Sequence, residues 1–244
     1  MRKSVIIRYT HFAFYTFSVY VWYKKIKKVF LLCYYFFVIV GVVCLSLKDF
    51  FITKSLKIVK DRYPNYDDEN LEVIEYGLTA LYMFISKTIV VFTLAYFLGI
   101  IRELIILLII YSSIKSFSFG IHAEKSSTCL LISTFTFLVV TYICIYFELP
   151  LWFDIIIGVI CIIYMFIHSP ADTEKKPIIN PKRRVIYKIL STLVSIILVL
   201  IAVVSKNSFI SNCCILSLLL QCLSISPVVY RIAGKRYNNY MYYK

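Results

Sequence analysis

The chain gathers its apolar residues into blocks long enough to cross a bilayer, parted by short polar or basic stretches, and that blocking restricts it to a bundle of membrane helices. A hydrocarbon core needs about 20 apolar residues per helix. Blocks near that length fall at 77–98, 129–147, 151–167, 189–205 and 209–230. The block at 101–114 is shorter and opens beside Arg102 and Glu103, so it needs 97–100 to approach a full span and is expected to tilt or re-enter. Soluble domains carry about a quarter charged residues, whereas this chain has 16%, with 61% hydrophobic. The expected fold is all-α, a polytopic integral membrane helix bundle of about six core spans.

Charge sets the orientation. The net charge of +14 arises from 27 basic and 13 acidic residues, and the bases cluster between apolar blocks. That placement points to cytoplasmic loops and anionic membrane lipid, not to nucleic acid. Loop 169–188 carries Lys175, Lys176, Lys182, Arg183, Arg184 and Lys188 against Asp172 and Glu174, and is therefore cytoplasmic. Alternation then puts the turns at 148–150 and 206–208 outside. Stretch 115–128, segment 48–76 and the basic, tyrosine-rich tail from Arg231 fall inside.

The first 47 residues break this pattern, so the expected division is an N-terminal extension, 1–47, and a core domain, 48–244. Residues 29–47 are apolar enough for one extra span, which would leave Lys24, Lys25, Lys27 and Lys28 outside. Three readings stay open: a surface-lying N-terminus, a tolerated exception, or a Met1 upstream of the natural start.

Chemistry concentrates in the polar island 115–128, which interrupts the apolar blocks. His122 stands there, and Cys129 follows it by seven positions; neither of the other two histidines, His11 and His168, has a cysteine within the next ten residues. An imidazole and a thiol at a membrane boundary are the parts of a cysteine nucleophile and its base. The bland alternative is that Cys129 is a small apolar residue opening a helix. On one straight helix seven residues rise about 10.5 Å, too far for a hydrogen bond, so a dyad requires a break. Gly120 and the cluster Ser126, Ser127 and Thr128 favour one.

With Ser126 as N-cap, Cys129 would be the third helical residue, beside unpaired backbone N–H groups that favour a thiolate. Those N–H groups could also hold an oxyanion. Glu124 or Ser118 could orient the imidazole, although either could equally face water. Lys115 reads as a snorkelling interfacial residue or as a contact for a substrate carboxylate. Gly120 reads as a site of positive φ or of close backbone approach. The other seven cysteines lie inside apolar blocks, no Cys/His spacing suits a metal, and no cofactor is indicated. A second stretch, Ser169 to Ile178, reads as a helix stop and charged loop in which Asp172 and Glu174 are open to substrate contact.

Together the island and the 170–178 loop resemble the accessory gene regulator B (AgrB) family, membrane cysteine endopeptidases of Gram-positive quorum sensing. Gly120, His122 and Cys129 carry that family's spacing, and Pro-Ala-Asp-Thr-Glu-Lys-Lys-Pro-Ile at 170–178 carries its second motif. The resemblance runs from about residue 48 to the tail. Members commonly have arginine where this chain has Lys115, and often a second glycine where it has Phe119. Lysine keeps the charge and loses the bidentate fork.

The resemblance implies catalytic His122 and Cys129, while Lys115, Ser118, Gly120, Glu124 and Asp172 stay candidates for supporting or substrate-contacting positions. It implies a small AgrD-type propeptide as partner and substrate, cleaved through a thioester on Cys129. The peptide is then closed to a thiolactone or lactone, at an active site on the cytoplasmic side of the cell membrane. It is also compatible with a homodimer. The rival functions are a transporter, for which Lys87 is the main ionisable residue inside a block, and a noncatalytic peptide escort.

Overall fold

The computed structural model describes residues 47–121, 126–174 and 177–243, with backbone alone for 126–129 and 243. The N-terminal extension and its expected extra span therefore lie, but for residue 47, outside the described residues. The chain divides into two compact units at Gly99.

In the first unit, helix α1 covers 47–62 of the described residues. It carries Lys48, Lys54, Lys57 and Lys60 among exposed Phe50, Phe51 and Ile58. It stops where Pro64 bars a helical conformation at Tyr63. Helix α2 is Asp68–Leu98; the Asp67 carboxylate caps it by accepting from the Asn70 N–H at 2.9 Å. Asp68 and Glu69 sit in its first turn, where the helix dipole favours acids. Gly99 ends it in the left-handed conformation, φ 69°, donating to Tyr96 O at 3.0 Å. The acidic approach at 67–72 is thus the beginning of the α2 span and no separate segment. At 31 residues α2 is about 46 Å long, longer than the ~30 Å hydrocarbon core. The ring of Phe51 meets that of Tyr82, joining α1 to α2.

The second unit is a bundle of α3 (Ile101–Ser118), α4 (Ser126–Tyr146), α5 (Leu151–His168), α6 (Pro181–Val204), α7 (Ser208–Ile225) and the short α8 (Pro227–Ile232). A single 3₁₀ turn follows at Asn239–Tyr243. Helix α7 is the centre, packed on α3, α4, α5, α6 and α8. Its buried face is small and polar as well as apolar: Ser211, Asn212, Ser217 and Gln221 beside Ile215 and Leu218. Such residues let helices approach closely and bond across the contact, which lipid-immersed bundles exploit. Gly158 on α5 does the same opposite α6, where a Cβ would stand 2.8 Å from a Val199 methyl. The outward faces of α5 and α6 are apolar and exposed, as at Trp152, Ile156, Phe166, Ile197 and Leu200.

By length and composition α2, α5, α6 and α7 can each cross a membrane, and the apolar part of α4, Leu130–Tyr146, is shorter. Helix α3 carries Arg102, Glu103 and Lys115. The protein is an all-α membrane helix bundle. One sequence expectation shifts: Lys182, Arg183, Arg184 and Lys188 belong to the first two turns of α6, not to a loop. Asn180 caps that helix through its side chain and Pro181 fits its first position, so it starts eight residues before the apolar block. Likewise the block 209–230 is two helices, because Ser226 caps α8 and Pro227 cannot continue α7.

Candidate active site at the α3–α4 corner

Helix α3 ends at Ser118, and α4 opens at Ser126. The break is sharp. Phe119 adopts φ 59° and Gly120 φ 111°, both in the positive region that L side chains avoid. Three neighbouring segments hold the turn. Phe119 forms a parallel bridge with Ala171 in the α5–α6 connection: Ala171 N–H donates to Ser118 O and Gly120 N–H to Ala171 O, each at 3.0 Å. From α7, Ile121 N–H donates to Ser224 O at 3.0 Å. The Gln221 amide donates to Phe119 O at 2.7 Å. The Phe119 ring also packs edge-on against Tyr187 of α6, centroids 5.0 Å apart.

Gly120 is required twice over at this turn. Beyond its φ, a Cβ there would stand 2.5 Å from Ser224 Oγ and 3.0 Å from Ser224 O. The close approach is to the protein's own α7. Ser118 is wholly buried, and its hydroxyl donates to Ile114 O at 2.8 Å within its helix. Lys115, in the last turn of α3, places Nζ 3.2 Å from the Tyr111 hydroxyl and 5.3 Å from that ring's centroid. Its charge thus lies one turn before the corner.

His122 and Glu124 lie outside the described residues. Cys129 is described by its backbone only and lies in α4, which among the described residues is helical from Ser126.

Asp172 follows Ala171 directly and is the most heavily bonded side chain near the corner. Its carboxylate is fully enclosed. Oδ1 accepts from Asn239 N–H at 3.0 Å, and Oδ2 from Tyr240 N–H at 2.9 Å and Ile178 N–H at 3.3 Å. Arg184 Nη1 lies 3.5 Å from Oδ2, with its guanidinium 3.4 Å from the Tyr240 ring centroid. The backbone oxygen of Asp172 accepts from the Tyr230 hydroxyl at 3.1 Å and the Asn239 amide at 3.3 Å. Burial and then the Asp172 charge push the Tyr230 hydroxyl well above the ordinary tyrosine value. Burial, with Tyr164 next, lifts Tyr237 to about 12.

The sequence did not single out Gln221, Ser224, Tyr230 or Asn239. Only Gln221 had a local signal, a large amide inside an otherwise apolar block. Among the described residues no group of three His, Cys, Asp or Glu could hold a metal ion.

A helix bundle with lipid-compatible outer faces and a pinned, non-helical corner between two of its helices defines a polytopic membrane protein with a chemically furnished interior edge. The accessory gene regulator B family matches residues 51–225. A protein provisionally named AgrB-like from Clostridium acetobutylicum is 30% identical over 174 residues, covering 70% of this chain and 83% of its own. A protein of the same provisional name from Listeria innocua is 30% identical over 189 residues, covering 77% and 91%. One from Listeria monocytogenes is 29% identical with the same coverage. No solved structure matches. The chain belongs to the accessory gene regulator B family. Membership supports a role in the agr quorum-sensing system and, with the four long apolar helices, a membrane location.

Proposed function

We propose that residues 48–244 form a membrane cysteine endopeptidase that cleaves a small AgrD-type propeptide and promotes its cyclisation, working from the cytoplasmic side. The observations that support this reading are the family match over residues 51–225 and the end of α3 at Ser118, followed by non-helical residues 119–121 directly before His122. His122 takes the proton from Cys129, whose thiolate attacks the scissile carbonyl carbon. Free N–H groups of the first turn of α4 hold the oxyanion. The C–N bond breaks as His122 returns the proton to the leaving amine, and the N-terminal portion stays on Cys129 as a thioester.

A thiol or hydroxyl of the same peptide then attacks that thioester. Its proton passes to His122, the Cys129 thiolate leaves, and a thiolactone or lactone ring closes. Excluding water from the bundle edge favours ring closure over hydrolysis, and holding both reacting ends together supplies the proximity. Lys115 supplies charge for an acidic part of the propeptide.

Co-expression with the propeptide encoded beside it, followed by mass spectrometry, tests the reading. A covalent adduct on Cys129 that vanishes in Cys129→Ala is the expected result. Absence of processed peptide in every membrane condition would end the assignment. Escort or transport would survive Cys129→Ala.

A further inference from the structure

We infer that the C-terminal tail is a positioning element of the α3–α4 corner, acting through Asp172. This rests on the peptidase reading for its catalytic consequence, though not for its geometry. The tail from Gly234 onward lies beyond the matched family region, 51–225. It nevertheless closes over a carboxylate that belongs to the family-like loop. Asn239 is buried and spends its backbone N–H on Asp172 Oδ1 and its amide on Asp172 O, 3.3 Å, and Arg236 O, 2.9 Å. Asn238 before it takes φ 57°, turning the chain so that the Asn239 and Tyr240 N–H groups point to one carboxylate. Tyr237 adds a second tie, its hydroxyl donating to His168 O at 3.3 Å at the end of α5.

The chain of force is short. Asp172 is held from the tail, Ala171 beside it is bridged to Phe119, and Gly120 donates to Ala171. His122 is two residues further. The tail residues act through Asp172 and fix the strap to which the corner is fastened. Releasing the tail removes its ties to Asp172, leaving Ala171 held only by its bonds to the corner and Tyr230, and a displacement of about 1 Å at a catalytic pair can cost about 100-fold in rate.

Asp172→Asn is the direct test. Each carboxylate oxygen accepts a backbone N–H, so whichever way the amide turns, its NH₂ faces a donor. A chain ending at Ala233 and the milder Asn239→Ala serve where that variant does not fold, with exposed Met241→Ala as control.

In membranes, the expected results are a kcat for propeptide cleavage lowered about 10–100-fold with KM within about twofold. The pH midpoint of Cys129 alkylation by iodoacetamide, read by peptide mapping, should move up toward that of an ordinary thiol. Amide exchange at Gly120 and Ile121 should quicken about tenfold or more. Folded variants with unchanged exchange and an unchanged alkylation profile overturn the inference. Wild-type protein inert toward the propeptide, but with tail-dependent exchange at 120–121, would remove the peptidase reading and leave the clamp standing.

Discussion

Replacing Gly120 with alanine adds one methyl group at the point where α7 leaves no room for it. The new Cβ would lie 2.5 Å from Ser224 Oγ and 3.0 Å from the Ser224 backbone oxygen. The hydroxyl can rotate away; the carbonyl cannot, because it accepts the Ile121 N–H. Overpacking of this kind costs about 1–3 kcal/mol, and holding an L side chain at φ 111° costs about 1–3 kcal/mol more. Together about 2–6 kcal/mol opposes the observed turn, which at one decade per ~1.4 kcal/mol reduces its population at least about 30-fold. Domain stabilities run to about 5–15 kcal/mol, so the corner should yield before the bundle does. The expected Gly120→Ala protein inserts and purifies with a modestly lowered Tm and loses propeptide processing by about 30-fold or more. Peptide yield by mass spectrometry, with Tm measured on the same preparation in detergent, reads both quantities. Gly120→Ala with wild-type turnover and wild-type Tm would refute the claim that this glycine is demanded by the turn.

Three further outcomes follow from the same geometry. Lys115→Met should raise the KM for a propeptide with an acidic C-terminal part severalfold while leaving kcat unchanged, and Lys115→Arg should restore it; an unmoved KM in steady-state cleavage would remove the substrate-carboxylate role. Ser211→Ala strips Asp154 Oδ2 of a 2.6 Å hydrogen bond while Oδ1 meets no donor among the described residues, so stability should fall by about 1–3 kcal/mol, and Asp154→Leu in that background should restore much of it in thermal unfolding. Tyr230 and Tyr237 titrate above the ordinary tyrosine value of 10 in the folded protein, so their contribution to the tail clasp is complete below pH 10 and is lost as pH rises toward 12 and beyond. Limited proteolysis of residues 233–243 should accelerate across that range and less steeply in Tyr230→Phe; a flat profile up to pH 12 would contradict the linkage.

How much of this was legible in the sequence depended on the reach of each interaction. The spans were readable because burial in lipid forces long apolar blocks, and α5 runs over Leu151–His168 where the block had ended one residue earlier. The starts of α2 and α6 were not readable from apolarity, since caps at Asp67 and Asn180 extend helices into charged sequence. The end of α3 was readable from Gly120, because glycine disfavours helix interiors whatever surrounds it, whereas Ser126, Ser127 and Thr128 lie within α4. What holds the break was not. Gln221 and Phe119 are 102 positions apart, and Asn239 and Asp172 are 67 apart. No spacing rule spans such separations, and only the bundle brings those groups to one end.

That division has a physical basis in the solvent. In water, a loop such as 119–121 could satisfy its backbone groups with any passing molecule and would need no fixed partners. At the edge of a hydrocarbon core each unmatched N–H or C=O costs several kcal/mol. Irregular backbone therefore persists there only where other segments supply donors and acceptors at fixed places. Gln221, Ser224 and Ala171 do so for Phe119, Ile121 and Gly120, and Asp172 does so in turn for the tail. A corner satisfied from two separate elements, α7 and the α5–α6 connection, has few alternative arrangements of comparable energy. The same bonds hold residues 119–121 in one arrangement, and a fixed corner is what the proposed pairing of His122 with Cys129 requires.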